Sequence, residues 1–195
     1  MKLNPVVLQD RFVRLEPFTA ALEGEVRAAL DCDPEAWSGM VSAAYGEHFD
    51  GWWAAALKAV AIGSRIAFAV RRISDGAVVG TTSLYEIKPE HRRCEVGSTF
   101  YLPDARGGPI NPACKRLLLD YAFSSGAVRV EIITDALNVA SAAAIRKLGA
   151  RAEGVLKMHK ITWTGRVRDT AQFAVLDEDW PEVRRRLDQR LAVFA

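Results

Sequence analysis

A glycine pair set between an extended segment and a helical one is where this sequence's residue types could do chemistry. Residues 95–102 read as a strand, and Ala105, Arg106, Gly107, Gly108, Pro109 and Ile110 as a tight loop. Residues 111–123 read as a helix, with Asn111 a favoured N-cap and Pro112 suited to the first helical position, where its missing N–H would be unpaired anyway. Such a turn aims several backbone N–H groups and the positive end of a helix dipole at one point, which favours a phosphate or pyrophosphate. Neither the GxxxxGK[ST] of a P-loop nor the GxGxxG of a dinucleotide fold is present. Taken alone, the glycine pair serves equally well as a plain connection, because turn chemistry itself asks for Gly.

Other reactive types are scattered. Cys32, Cys94 and Cys114 are far apart and form no CxxC pair, which argues against a disulfide framework or a zinc ribbon. His48, His91 and His159 suggest no metal constellation, and no metal is expected. A net charge of +2 over 195 residues gives no reason to expect a nucleic-acid partner. The late arginines, Arg184, Arg185, Arg186 and Arg190, interleave with Trp180, Val183, Leu187 and Leu191 at helical spacing and read as a solvated face. No apolar run approaches the roughly 18 residues of a membrane span. Asp10, Arg11 and Arg14 come too early for a signal peptide's apolar region. A cytoplasmic protein with no membrane partner is expected, organised as one domain over residues 1–195.

The elements that would position the loop follow from periodicity. A short strand is expected at residues 12–15, a helix capped by Thr19 and running to about Leu30, and another opened near Asp50. Trp37, Tyr45, Phe49, Trp52 and Trp53 form an aromatic cluster that reads as core, with part of it open to a substrate-lining role. Residues 65–73 and 78–87, rich in β-branched side chains and split by Ser74, Asp75 and Gly76, predict a hairpin. Residues 128–134 alternate as a strand, 139–148 form a helix capped by Asn138 and stopped at Gly149, and 152–163 and 167–175 are two more strands. The fold class is therefore mixed α/β (α+β): a largely antiparallel twisted sheet, a central β-loop-α-β unit and flanking helices.

With the flanks added, the loop gains a family likeness. Glu95, Val96 and Gly97 open the strand, Pro103 precedes the turn Arg106, Gly107, and Asn138 and Ser141 lead to Lys147, Leu148, Gly149. This pattern resembles the GNAT acyltransferases, and more narrowly the branch of ribosomal-protein N-terminal acetyltransferases (the RimJ/RimL type). The likeness runs from Phe12 to the last strand and is sharpest over residues 95–159.

The resemblance implies acetyl-CoA or another acyl-CoA as co-substrate, and as acceptor an amine-bearing small molecule or a protein N-terminus, in a monomer or homodimer. It places Tyr101 and Leu102 where the strand splays and pairs with the pantetheine arm, and Arg106, Gly107, Gly108, Ile110 and Asn111 in the pyrophosphate loop. Asn138 falls on the far side of the cofactor groove. Two departures stand out: Pro109 replaces a loop glycine, and Ile145 replaces the Tyr that many relatives use as acid. The implied reaction is direct attack of the amine on the thioester in a ternary complex, with Glu95 as base and Ser141 as acid. Glu86, His91 and His159 rank behind them as alternatives for proton transfer. Alternatively, Glu95 is a strand carboxylate paired with Arg92 or Arg93, and Ser141 bonds local backbone. An acyl-CoA-binding regulatory module of the same fold, without turnover, is the competing function.

Overall fold

The computed structural model describes residues 1–194 and is organised by an eight-stranded sheet. In chain order the strands are β1 (Leu8–Gln9), β2 (Val13–Pro17), β3 (Arg65–Arg72), β4 (Val78–Lys88), β5 (Arg93–Tyr101), β6 (Arg129–Asp135), β7 (Arg151–Ile161) and β8 (Val167–Leu176). The helices are α1 (Glu23–Leu30), α2 (Phe49–Ala61), α3 (Ile110–Ser124), α4 (Val139–Leu148) and α5 (Trp180–Ala192). Spatial order is β1-β2-β3-β4-β5-β6-β8-β7, and every neighbouring pair is antiparallel except β5 and β6. That parallel pair needs a crossover, which α3 supplies.

Alternation along the strands divides the sheet between two cores. Ile66, Phe68 and Val70 of β3, Cys94 and Val96 of β5, Val130 and Ile132 of β6, and Ala171, Phe173 and Val175 of β8 face α3, α4 and α5. On the other face, the small Ala67 and Ala69 leave room for an aromatic floor: Phe18, just after β2, and Phe49, Trp52 and Trp53 of α2, with α1 packed beside them. Trp37 joins it by stacking on Phe100, with ring centroids 4.9 Å apart. Helices cover this second face only over β3, β4 and the end of β5. No helix covers it over β6, β7 and β8, where Leu156 of β7 is exposed although Arg168 and Thr170 of β8 are buried.

Several boundaries differ from expectation. The short β1 was not anticipated. Thr19 precedes a 3-10 turn, Ala20–Leu22, without capping it by its side chain, and α1 begins only at Glu23. Asn111 is not the N-cap of α3. That place is taken by Pro109, whose ring holds φ at −75° and starts the helix earlier, so Asn111 lies inside the first turn.

Candidate active site

The parallel contact between β5 and β6 lasts three residue pairs, Arg93 with Arg129, Cys94 with Val130 and Glu95 with Glu131. Beyond Glu95 the strands part: Val96 to Tyr101 stay with β4, and Ile132 to Asp135 with β8. A wedge-shaped gap opens in the sheet with Glu95 at its crotch. An irregularity in the β4–β5 register, with Ser98 held at φ 48°, bends β5 away there. Leu102 donates its N–H to Val79 O (2.9 Å). Ladder alternation then turns the N–H and C=O of Tyr101 to the gap, where the carbonyl accepts from Arg106 Nε at 2.8 Å. The backbone of Tyr101 thus faces the gap, whereas that of Leu102 is engaged with β4. The Tyr101 ring is buried in the α3-side core.

Past the strand end, the loop leaves its amides unspent. Among the described residues, the N–H groups of Gly107, Gly108, Ile110 and Asn111 meet no acceptor, and no side chain caps α3. Gly107 has φ 78°, a conformation that favours glycine, and both loop glycines look onto open space. Four free amides at a helix N-terminus form an anion cradle. The Arg106 side chain does not point into it. It bonds Tyr101 O, pairs with Asp33 at 2.7 Å and lies over the Phe100 ring, fastening the loop to the strand end.

Glu95 is only 5% exposed and sits on the open face. Its sole hydrogen-bond partner among the described residues is the Tyr85 hydroxyl of β4, which donates to Oε1. Burial pushes the Glu95 pKa up to about 7, against the opposing pull of the Tyr85 bond and of nearby Lys160. The expected alternative, an ion pair with Arg92 or Arg93, is not formed. Arg93 pairs with Glu131 at 2.8 Å, and Arg92 donates to Gly126 O. Gly97 explains how Tyr85 arrives, since a Cβ there would stand 2.8 Å from its ring. Beside Glu95 a cleft of about 350 Å³ is lined by Glu86, Glu131, Ile133, His159, Lys160 and Gln172 among others.

Across the gap, on the opposite face, α4 presents Asn138 and Ser141. Asn138 Oδ1 accepts the Ser141 N–H at 2.9 Å as the helix cap, so Asn138 is spent on structure while the Ser141 hydroxyl stays partly exposed. Glu95 and Ser141 therefore lie on opposite faces of the sheet, joined only through the gap. Ile145 is 6% exposed and packs into the core, offering no proton there.

Several buried polar groups escaped the sequence reading. Lys115 of α3 is 9% exposed, and among the described residues its ammonium meets only Thr99 Oγ1, at 3.3 Å. Burial lowers its pKa to about 8. Its spacing to Leu118, Leu119 and Ala122 puts it on the buried stripe of α3. On β8, Arg168 Nε and Thr170 Oγ1 are buried with no partner among the described residues, a cost of about 1–3 kcal/mol each.

The model of the acetyltransferase (GNAT) domain family matches residues 13–151, well over half of the sequence. The chain belongs to the GNAT acetyltransferases. A GCN5-related N-acetyltransferase from Brucella melitensis is 29% identical with a TM-score of 0.89, the match covering 98% of this chain and 87% of that one. Two further structures share the GNAT fold at lower identity. Mycobacterium smegmatis RimJ, in complex with CoA-disulfide, matches at 19% identity and TM-score 0.81 over 95% of this chain and 94% of its own. A ribosomal-protein-S5-alanine acetyltransferase from Vibrio fischeri matches at 15% and 0.73 over 90% and 98%. No curated protein sequence matches this chain. For a GNAT fold the split sheet and the α3 cradle are the parts that suit coenzyme A, and the four free amides fit its pyrophosphate despite Pro109. No helix is long and apolar enough to cross a membrane, and no cluster of His, Cys, Asp or Glu among the described residues could hold a metal ion.

Proposed function

We propose that this GNAT protein transfers an acetyl group from acetyl-CoA to a primary amine, by direct attack within a ternary complex, with Glu95 as general base. One observation carries the reading: a buried carboxylate with its pKa raised to about 7 stands at the crotch of the sheet gap, beside an open cleft. That is the range in which a base can both lose and regain a proton at neutral pH.

Bound acetyl-CoA would supply the activated thioester. The N–H groups of Gly107, Gly108, Ile110 and Asn111 would hold its pyrophosphate, and the gap-facing backbone of β5 up to Tyr101 its pantetheine arm. Arg106 serves by fixing the loop to the strand. An N–H on this open edge, near Tyr101, would polarise the thioester carbonyl. Glu95, steadied by Tyr85, takes the proton of the acceptor ammonium so that the free amine attacks. Ser141, at the capped start of α4, would return a proton to the departing sulfur, a task water can share. We read residues 1–195 as one acyltransferase domain, cytoplasmic and monomeric or homodimeric, acting on a small amine or a protein N-terminus.

The buried Ile145 favours the competing reading, an acyl-CoA-binding module without turnover. Thiol release from acetyl-CoA over a broad panel of amines separates the two. Amine-dependent release is expected, whereas coenzyme A binding with no release from any amine would establish the module.

A further inference from the structure

Two arginines that form no salt bridge among the described residues flank the Tyr85–Glu95 pair. Arg65 stands beside Tyr85 in the β3–β4 register, and Tyr85 beside Glu95 in the β4–β5 register, so the three form one row on the open face. The Arg65 guanidinium donates to Ser83 Oγ (3.0 Å) and Ser98 Oγ (2.9 Å) and lies 5.7 Å from the Trp52 ring centre. Arg168, on β8, is 7% exposed, and its one hydrogen bond among the described residues is to Gly39 O at 3.2 Å. Both positive charges reach Tyr85 through space.

The acids that could neutralise them are already engaged. Asp135 receives Arg166 and the Leu137 N–H, while Glu131 receives Arg93 and Arg129. Glu95 is held by the Tyr85 hydroxyl. A buried guanidinium normally has an anion beside it, because desolvating an unpaired charge is costly. The Arg168 Nε and the Thr170 hydroxyl, two residues apart on the same face of β8, are both left without partners among the described residues. Two unspent donors next to a surplus positive charge describe a seat for an anion. Lys160, the strand partner of Arg168, lines the cleft beside Glu95 and links this seat to the base.

We infer that the acceptor is an amine carrying a carboxylate, which seats on Arg168 and Thr170 while its amine reaches Glu95. The inference rests on the acyl-transfer reading and narrows the acceptor from any amine to a free amino acid or a similar amino-carboxylate. Arg65 adds positive potential on the other side of Tyr85. A neutral amine in the same place would leave Arg168 with Asp135 and Glu95 acting only through space and no anion bonded to it, so selectivity comes from the group that is missing as much as from the one present.

The test measures thiol release from acetyl-CoA with a set of free amino acids and their amides, using the whole chain. At least one acid should be turned over with kcat/KM roughly 100-fold above its amide, since a site built around a polar group rejects the analogue lacking it. Arg168→Gln should collapse that ratio to within about threefold, chiefly through a higher KM for the acid. Arg168→Lys, which keeps the charge should the glutamine variant fold poorly, should retain part of the preference. Turnover of amides, neutral peptide N-termini or aminophosphates as efficient as that of the acids would overturn the inference and leave acyl transfer standing. An unchanged acid-to-amide ratio in folded Arg168→Gln would overturn it as well. Absence of thiol release with every amine would overturn the acyl-transfer reading and this inference with it.

Discussion

Glu95 carries the proton-transfer argument, and its burial gives that argument two independent readouts. Between its ordinary value of 4.5 and about 7, the folded state keeps a proton on Glu95 that the unfolded chain has released. The stability it contributes is therefore present below the ordinary carboxylate pKa and lost as pH rises to about 7. Glu95→Gln should match wild type near pH 4 and exceed it by roughly 1–3 kcal/mol at pH 8 in denaturant titrations. In the assay the same variant should lose about a hundredfold in kcat, with the KM for acetyl-CoA nearly unchanged, and lose the acidic limb of the pH profile. Near-normal turnover with the limb intact would make Glu95 structural and pass its role to Glu86 or to water. Ser141→Ala should cost roughly tenfold or less, because a thiolate leaves readily and water can supply the proton. The position of Glu95 was legible from Glu95, Val96 and Gly97. Its partner Tyr85 was not, because it lies ten residues upstream on a neighbouring strand and only register brings the two together. Gly97 was the trace it left, a place where a Cβ would strike the ring.

At the scale of elements, strands and helices were mostly readable, and the errors fell where one proline or one charge overrode the pattern. Asn111 looked like the cap of α3, but Pro109 begins the helix earlier, and the site gains free amides. Gly108→Asp tests that cradle. Its Cβ meets open space, so folding should be preserved, yet its carboxylate would confront the pyrophosphate. Calorimetry should show coenzyme A affinity falling beyond detection with an unchanged melting temperature, and wild-type affinity would place the phosphates elsewhere. Lys115, read as part of a helix rather than as a site residue, is a buried ammonium on the stripe that packs against the sheet. Folded, it loses its proton near pH 8, while the unfolded chain keeps it to about 10.5, so stability should rise with pH across that window. Lys115→Met should stabilise the ligand-free protein by roughly 1–3 kcal/mol at pH 7, with the gain shrinking towards pH 10.5. Destabilisation at pH 7 would show that the ammonium is better satisfied than its single bond to Thr99 suggests.

For the whole molecule, short hairpin turns made the largely antiparallel character of the sheet readable, and the helix between two strands signalled the crossover unit, but the order β6-β8-β7 was not read. The division of labour between the two faces was not readable. It depends on Ala67 and Ala69 accepting the tryptophans of α2 and on the helices stopping short of β6, β7 and β8. That arrangement leaves the cofactor cradle on the α3 side and the Glu95 cleft on the other, so donor and acceptor would meet through the gap without competing for space. The most direct test of the account is binding of acetyl-CoA to the purified chain, followed by calorimetry and by melting temperature. Saturable one-to-one binding is expected, with a stabilisation of about 2.7 kcal/mol at a hundred times Kd, because the ligand favours only the folded state. No heat and no thermal shift at millimolar acetyl-CoA or free coenzyme A would contradict the account.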